Sequence, residues 1–263
     1  AARLQAEDVR AVLFYGSCLR DGLSPDAVAD VYLLVGRYPR RLSGLANRLL
    51  PPNVIYFEAE TTRGRLAAKA AILSLDHFRR LAGPETFHSY VWARFAQPAA
   101  LIWAADDAAR AGVVRSMTRA ARTFAGEVAE RPVGTIESRD FWRDGFRLTY
   151  ASELRAEGPE RAEAIYRADQ ERYDRVHAAL AAESIRPRSS PGRWRRRRTL
   201  GKILSILRLA KAIFTFEGGL DYVLWKVARH SGVRVEAKPW QRRWPLLAAP
   251  GLAFRVWRLG GFR

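Results

Sequence analysis

Apolar runs bounded by turn residues dominate the first hundred positions. "AVLFY" (11–15), "VYLLV" (31–35), "NVIYFEA" (53–59), "AAILS" (70–74) and "ALIWA" (100–104) all have strand length, and most are rich in branched or aromatic residues. Between the second and third, "RRLSGLANRLL" has a helical period and stops at Pro51-Pro52, as a helix should. From Asp106 to Glu183 the period becomes that of amphipathic helices. The segments are "DAARAGVVRSMTRAARTFAGEV", "SRDFWRDGFRLTYASELRAE" and "PERAEAIYRADQERYDRVHAALAAE", the last with Pro159 at a first-turn position. A linker-like charge run, "RPRSSPGRWRRRR" (186–198), precedes shorter helical stretches and an end rich in Trp, Arg and Pro. The pattern predicts an α+β chain, a mixed sheet followed by helices, in three parts: residues 1–105, 106–185 and 186–263.

Charge sharpens that division. Of the formal charge of +18 on 263 residues, residues 186–263 supply +16 (19 Lys and Arg against 3 Asp and Glu), and residues 1–185 are nearly neutral (26 against 24). A basic tail of this kind meets polyanions, either nucleic acid or an anionic bilayer. The single Cys18 excludes an internal disulfide and a Cys-rich zinc site. The four histidines (77, 88, 177 and 230) share no metal-like spacing and read as structural. No apolar stretch approaches the length of about 20 residues that a spanning helix needs.

Candidate chemistry concentrates in "VLFYGSCLRDGLSPDAVADVYLLV" (12–35), where a strand ends at Gly16-Ser17 and the next apolar run opens on Asp30. Gly16 lets backbone approach a phosphate, Ser17 offers a hydroxyl and an N–H, and Asp30 is placed to hold Mg²⁺ against the same triphosphate. The polymerase-β-like nucleotidyltransferases use Gly-Ser, a spacer and an Asp-apolar-acid strand, but here Val31 is followed by Tyr32 and the second acid is missing. Taken alone, these residues read first as an ordinary turn and a strand-end acid.

Further stretches follow in order: "GRLAAKAAILSLDHF" (64–78), "YVWARFAQPAALI" (90–102), "LTYASELRAE" (148–157) and "TLGKILSILRLAKAIFTFEGGLDYVLWKVAR" (199–229). With the Gly-Ser/Asp30 segment, the series resembles the mitochondrial-type CDP-diacylglycerol synthases, the phosphatidate cytidylyltransferases of translocator maintenance. The resemblance implies a polymerase-β-like domain, a helical domain and a membrane-associating C-terminal region. It also implies synthesis of CDP-diacylglycerol and pyrophosphate from CTP and phosphatidic acid with Mg²⁺. By matched position, Gly16, Ser17, Lys69 and Arg155 contact nucleotide, Asp30, Lys69 and Glu153 are catalytic, and Asp30 and Glu153 hold metal. Lys69 falls just before the family's next strand. Cys18 stands where the family has Gly, and Glu153 where it has Asp. Glu58 and Glu60, closing the third apolar run, are rival third carboxylates.

On a helical wheel of residues 203–216, Ile203, Ile206, Leu207, Leu209, Ala210, Ile213, Phe214 and Phe216 share one broad face, which suits either a bundle core or an in-plane interfacial helix. With the Trp and Arg of "WQRRWPLLAAPGLAFRVWRL", it favours an anionic membrane surface over nucleic acid as partner. The Arg- and Ala-rich composition suggests a bacterial source, so the expected location is peripheral, on the cytoplasmic face of the inner membrane. The rival readings are a nucleotidyltransferase acting on RNA or protein, and a degenerate, non-catalytic binding module of the same fold.

Overall fold

The structure, a computed structural model, describes residues 8–22, 28–38, 48–61, 64–153, 160–215, 220, 224, 228 and 232–260. Five strands form one open mixed sheet: β1 (Val9–Tyr15), β2 (Val28–Val35), β3 (Asn53–Thr61), β4 (Gly64–Ser74) and β5 (Ala99–Ala104), in the order β3-β4-β2-β1-β5. Strands β2 and β4 run parallel, whereas β1–β2, β1–β5 and β3–β4 are antiparallel. All five apolar runs are therefore strands. Strand β4 starts at Gly64, well ahead of the run that announces it, because residues 64–66 pair with β3, β2 joins on the other side from Ala67, and small Ala68, Ala70 and Ala71 are buried there. Pairing on two sides overrides the weak strand preference of alanine.

Alternation then sorts each strand between two faces. Leu13, Tyr15, Tyr32, Leu34, Ala71 and Leu73 point into the main core. Leu33, Val35, Ala70 and Ile72 form a smaller cluster with Tyr38 on the other face. The helices are α1 (Ser17–Asp21), α2 (Leu75–Leu81), α3 (Trp92–Phe95), α4 (Asp107–Val128), α5 (Ser138–Tyr150), α6 (Glu160–Arg167), α7 (Gln170–Ala181), α8 (Pro191–Thr215), α9 (Pro239–Arg243) and α10 (Pro245–Arg258). Helix α4 matches its predicted segment. Asp106 caps it by accepting from the Ala109 N–H at 2.7 Å, and Val113, Ala120 and Phe124 line its buried side. Phe124 stacks on Trp142 of α5, with ring centroids 5.1 Å apart. The architecture is thus α+β, a mixed sheet followed by a largely helical region.

Three expectations change. The segment from 138 to 157 stops being helical at Tyr150, and the one from 159 to 183 breaks at Ala168-Asp169 into α6 and α7. The charge run 186–198 is not a linker. Arg188 N–H donates to Gly126 O at 2.7 Å and Ser189 N–H to Ala129 O at 3.3 Å, pinning the chain along the end of α4 before α8 begins at Pro191. Trp194 and Arg197 of that run are buried, which periodicity among seven arginines conceals. Most of the predicted helices at 40–50 and 219–232 lies outside the described residues.

The chain divides into two compact units, residues 1–205 and 206–263. In the first, α8 passes so close to the end of α5 that a Cβ on Gly201 would lie 2.1 Å from the Ser152 carbonyl oxygen. Only glycine fits that crossing. In the second, Leu220, Leu224, Ala237, Ala248 and Leu252 make a small core, and Trp240, Trp244, Phe254 and Trp257 are exposed. Among the described residues no helix is long and apolar enough to cross a membrane.

Candidate active site

Register places four side chains in a row across the sheet. Asp30 is the partner of Tyr15 on β1 and of Lys69 on β4, and Lys69 is the partner of Tyr56 on β3. Residues directly opposite one another share a face, so Tyr15, Asp30, Lys69 and Tyr56 all lie on the helix-covered side. Lys69 Nζ is 3.7 Å from an Asp30 carboxylate oxygen, and the two side chains are 31% and 28% exposed. Lys69 therefore sits inside a strand rather than before one, held beside the acid that precedes it in sequence.

Gly16 closes the row at the end of β1. Its φ is +87°, a conformation that side chains rarely adopt, and a Cβ there would meet Asp30 Oδ2 at 3.0 Å. The turn thus lies directly against the acid, and Ser17 opens α1 exposed to solvent. Gly16→Ala is expected to cost about 1–3 kcal/mol of stability through backbone strain and to displace the Asp30 carboxylate. A thermal melt unchanged from wild type would refute the close approach. Cys18, just beyond, is buried with Sγ 3.4 Å from the Val28 carbonyl. Burial and then the nearby Asp30 charge push its thiol upward, so it stays protonated.

The arrangement also recruits Arg94 of α3, which the sequence reading passed over. Its Nη1 donates to the Tyr15 hydroxyl at 3.1 Å, and its Nη2 lies 3.9 Å from a Glu153 carboxylate oxygen. The guanidinium also lies over the Tyr15 and Tyr90 rings, 5.2 and 4.7 Å from their centroids. Burial opposes its charge, yet the oxygens of Tyr15, Tyr90 and Tyr32 and the Glu153 carboxylate outweigh that and hold its pKa well above the ordinary arginine value. Its Nε meets no acceptor among the described residues. The Tyr15 hydroxyl is itself pushed up by burial, against the pull of Arg94. A lone Arg inside the apolar "YVWARFA" was the available signal.

Glu153 is thereby linked to the row through Arg94 and Tyr15, although it enters from beyond the end of α5. Ser152 beside it shares a hydrogen bond of 2.7 Å with Ser89, which ties that corner to the segment leading into α3. Glu58 accepts from the Tyr56 hydroxyl at 2.9 Å and lies on the same face of β3 as Tyr56. Arg155 lies outside the described residues.

The magnesium site expected on Asp30 and Glu153 is overturned. Among the described residues no group of three or more His, Cys, Asp or Glu could hold a metal ion. The physical reason is visible in the pairing. Each of the two acids faces a cation, Lys69 for Asp30 and Arg94 for Glu153. Two positions along β2 from Asp30, where a second strand acid would share its face, stands Tyr32, fully buried against Tyr15 and Phe95. What the row presents is a charge-paired, hydrogen-bonding wall beside a glycine turn, in which Lys69 and the Gly16-Ser17 backbone are the groups that could meet phosphate oxygens. No protein-family model matches the chain, and no curated protein sequence matches it significantly.

Proposed function

We propose that the protein is a nucleotidyltransferase of the polymerase-β-like fold that transfers a cytidylyl group from CTP to phosphatidate at a membrane surface. The observation that carries this reading is the Gly16 turn pressed against Asp30, with Lys69 in register beside it. A strand, a glycine turn and an acid on the neighbouring strand is the arrangement by which that fold receives a triphosphate. The ordered likeness to phosphatidate cytidylyltransferases supplies the acceptor.

The chemistry asks little of a base. Phosphatidate is a phosphomonoester, and such groups lose their second proton near pH 6, as phosphorylated side chains do at about 6. At neutral pH its oxygen attacks the α-phosphorus of CTP, a new P–O bond forms, and the bond to the bridging oxygen breaks. Pyrophosphate leaves with that electron pair, and no proton moves. The protein must instead bring two anions into line and offset their repulsion. Lys69, exposed on one side and held by Asp30 on the other, supplies a positive charge at the phosphates. Gly16 and Ser17 offer backbone and hydroxyl donors, and Arg94 fixes Tyr15 and Glu153 behind them.

The test is direct. The full chain, incubated in physiological salts with CTP and phosphatidate vesicles, should release pyrophosphate and form CDP-diacylglycerol, and ATP with RNA should support no turnover. Labelling of RNA or of protein from a nucleoside triphosphate, without CDP-diacylglycerol, would replace this reading with its closest rival.

A further inference from the structure

A cationic feature lies apart from the row just described, in residues that the transfer step does not use, and it deepens the membrane part of the proposed reading. A cleft of about 1140 Å³ opens beside the start of α8, lined by Arg119 and Arg122 of α4 and by Arg186, Arg188, Arg193 and Arg196. Three carboxylates answer these charges. Arg119 pairs with Glu85, Arg122 with Glu183 at 2.7 Å, and Arg188 and Arg193 reach the buried Glu127 at 3.2 and 2.8 Å. Arg186 and Arg196 have no carboxylate partner among the described residues, and Arg119 Nε, shielded from water, meets no acceptor among them. The cleft is also preformed, since the backbone bonds of Arg188 and Ser189 to Gly126 and Ala129 fix its wall.

We propose that this cleft docks the phosphate groups of an anionic phospholipid bilayer. Guanidinium forks match phosphate oxygens in geometry as well as charge, and a fixed wall loses little freedom on binding. The choice of a bilayer over other phosphate carriers comes from α8 itself. Arg193, Arg196, Leu200 and Ile203 recur at spacings of three and four, so they follow one stripe of the helix. The two arginines line the cleft, and Leu200 and Ile203 are 38% and 48% exposed. Cations followed by bare aliphatic residues on one stripe match headgroups and the acyl boundary beneath them. A nucleic acid would leave those aliphatic side chains in water. It would also want free aromatic faces for stacking, whereas Phe87 of the cleft already lies under Arg193 and Arg197.

Sedimentation of the full chain with vesicles tests this without any nucleotide, so its outcome is separate from that of the transferase assay. Vesicles of phosphatidylglycerol in phosphatidylcholine should carry the protein down, and pure phosphatidylcholine should not. Each basic residue near an anionic surface is worth roughly fivefold in affinity, so Arg186→Gln with Arg196→Gln should weaken sedimentation about 25-fold. Neither arginine has a carboxylate partner among the described residues, so the melting temperature should hold. Leu200→Gln with Ile203→Gln should weaken vesicle binding as well. Wild-type vesicle binding by the double arginine variant overturns the proposal. So does loss of RNA binding in that variant with vesicle binding intact, or an apolar double variant that binds vesicles normally.

Discussion

Lys69→Met is expected to lower cytidylyl transfer by about 10²-fold or more, the loss usual for removing one preorganised charge from a reacting centre. Methionine keeps the length and apolar stem of lysine, so the strand pairing of β4 with β2 and β3 has no reason to change. What changes is the balance of charge. Asp30, 3.7 Å from the lysine ammonium, would face an incoming triphosphate with its own charge uncompensated. Stability should fall by no more than about 1 kcal/mol, as for other partly exposed ion pairs. Asp30→Asn should be milder if the acid acts by steering Lys69, and should raise KM more than it lowers kcat. Steady-state kinetics on phosphatidate vesicles decides the matter. A Lys69→Met variant with near-normal kcat/KM would remove Lys69 from the site.

The second large effect is on stability. Glu127→Gln is expected to cost about 3–5 kcal/mol, because it strands buried cations. Glu127 and Arg197 are fully buried and hydrogen-bonded to each other, and Arg193 Nε donates to the same carboxylate at 2.8 Å. Arg197 has further support in the Phe87 carbonyl at 2.6 Å and the rings of Trp92 and Trp194, 5.2 and 4.6 Å away. These contacts orient the guanidinium without neutralising it. Burial alone would raise the Glu127 pKa, but the hydrogen bonds and charges of Arg193 and Arg197 outweigh it and hold the carboxyl below its ordinary value of 4.5. A depressed folded-state pKa gives stability that is complete above the unfolded value and is lost as pH falls through the folded one. Wild type should therefore lose this contribution only below about pH 4.5, and Glu127→Gln should flatten the acid limb of stability against pH. Urea unfolding across that range measures both effects, and a variant as stable as wild type would remove Glu127 from the core.

The sheet was legible because each strand is a short apolar run ended by turn residues, and α4 because Asp106 caps a long periodic segment. The row at the candidate site was partly legible. Gly16, Ser17 and Asp30 stand in one stretch, but their relation to Lys69 depends on a parallel pairing between strands distant in sequence, and alanine-rich flanks hid the strand around Lys69. Arg94 and Glu127 were missed for a shared reason. Each is a single charge within an apolar or small-residue stretch, and its meaning comes only from partners far along the chain. The metal expectation on Asp30 and Glu153 failed because each acid faces a cation, Lys69 and Arg94, and because Tyr32 stands where a second strand acid would be. The sequence makes clear that an acid is missing there, but only the fold makes clear that an aromatic core occupies its place.

The parallel seam between β2 and β4 has a consequence for when the molecule becomes competent. Gly16, Ser17 and Asp30 belong to the antiparallel pair β1–β2, and Lys69 belongs to the antiparallel pair β3–β4. Each pair can close over a short span of chain, but the seam joins them only across the intervening segment, the costlier kind of contact to make. Neither half holds both the glycine turn and the lysine. On the proposed reading, a nascent or partly folded chain presents Asp30 without its cation and would repel a triphosphate, so triphosphate binding would report that the two halves have met.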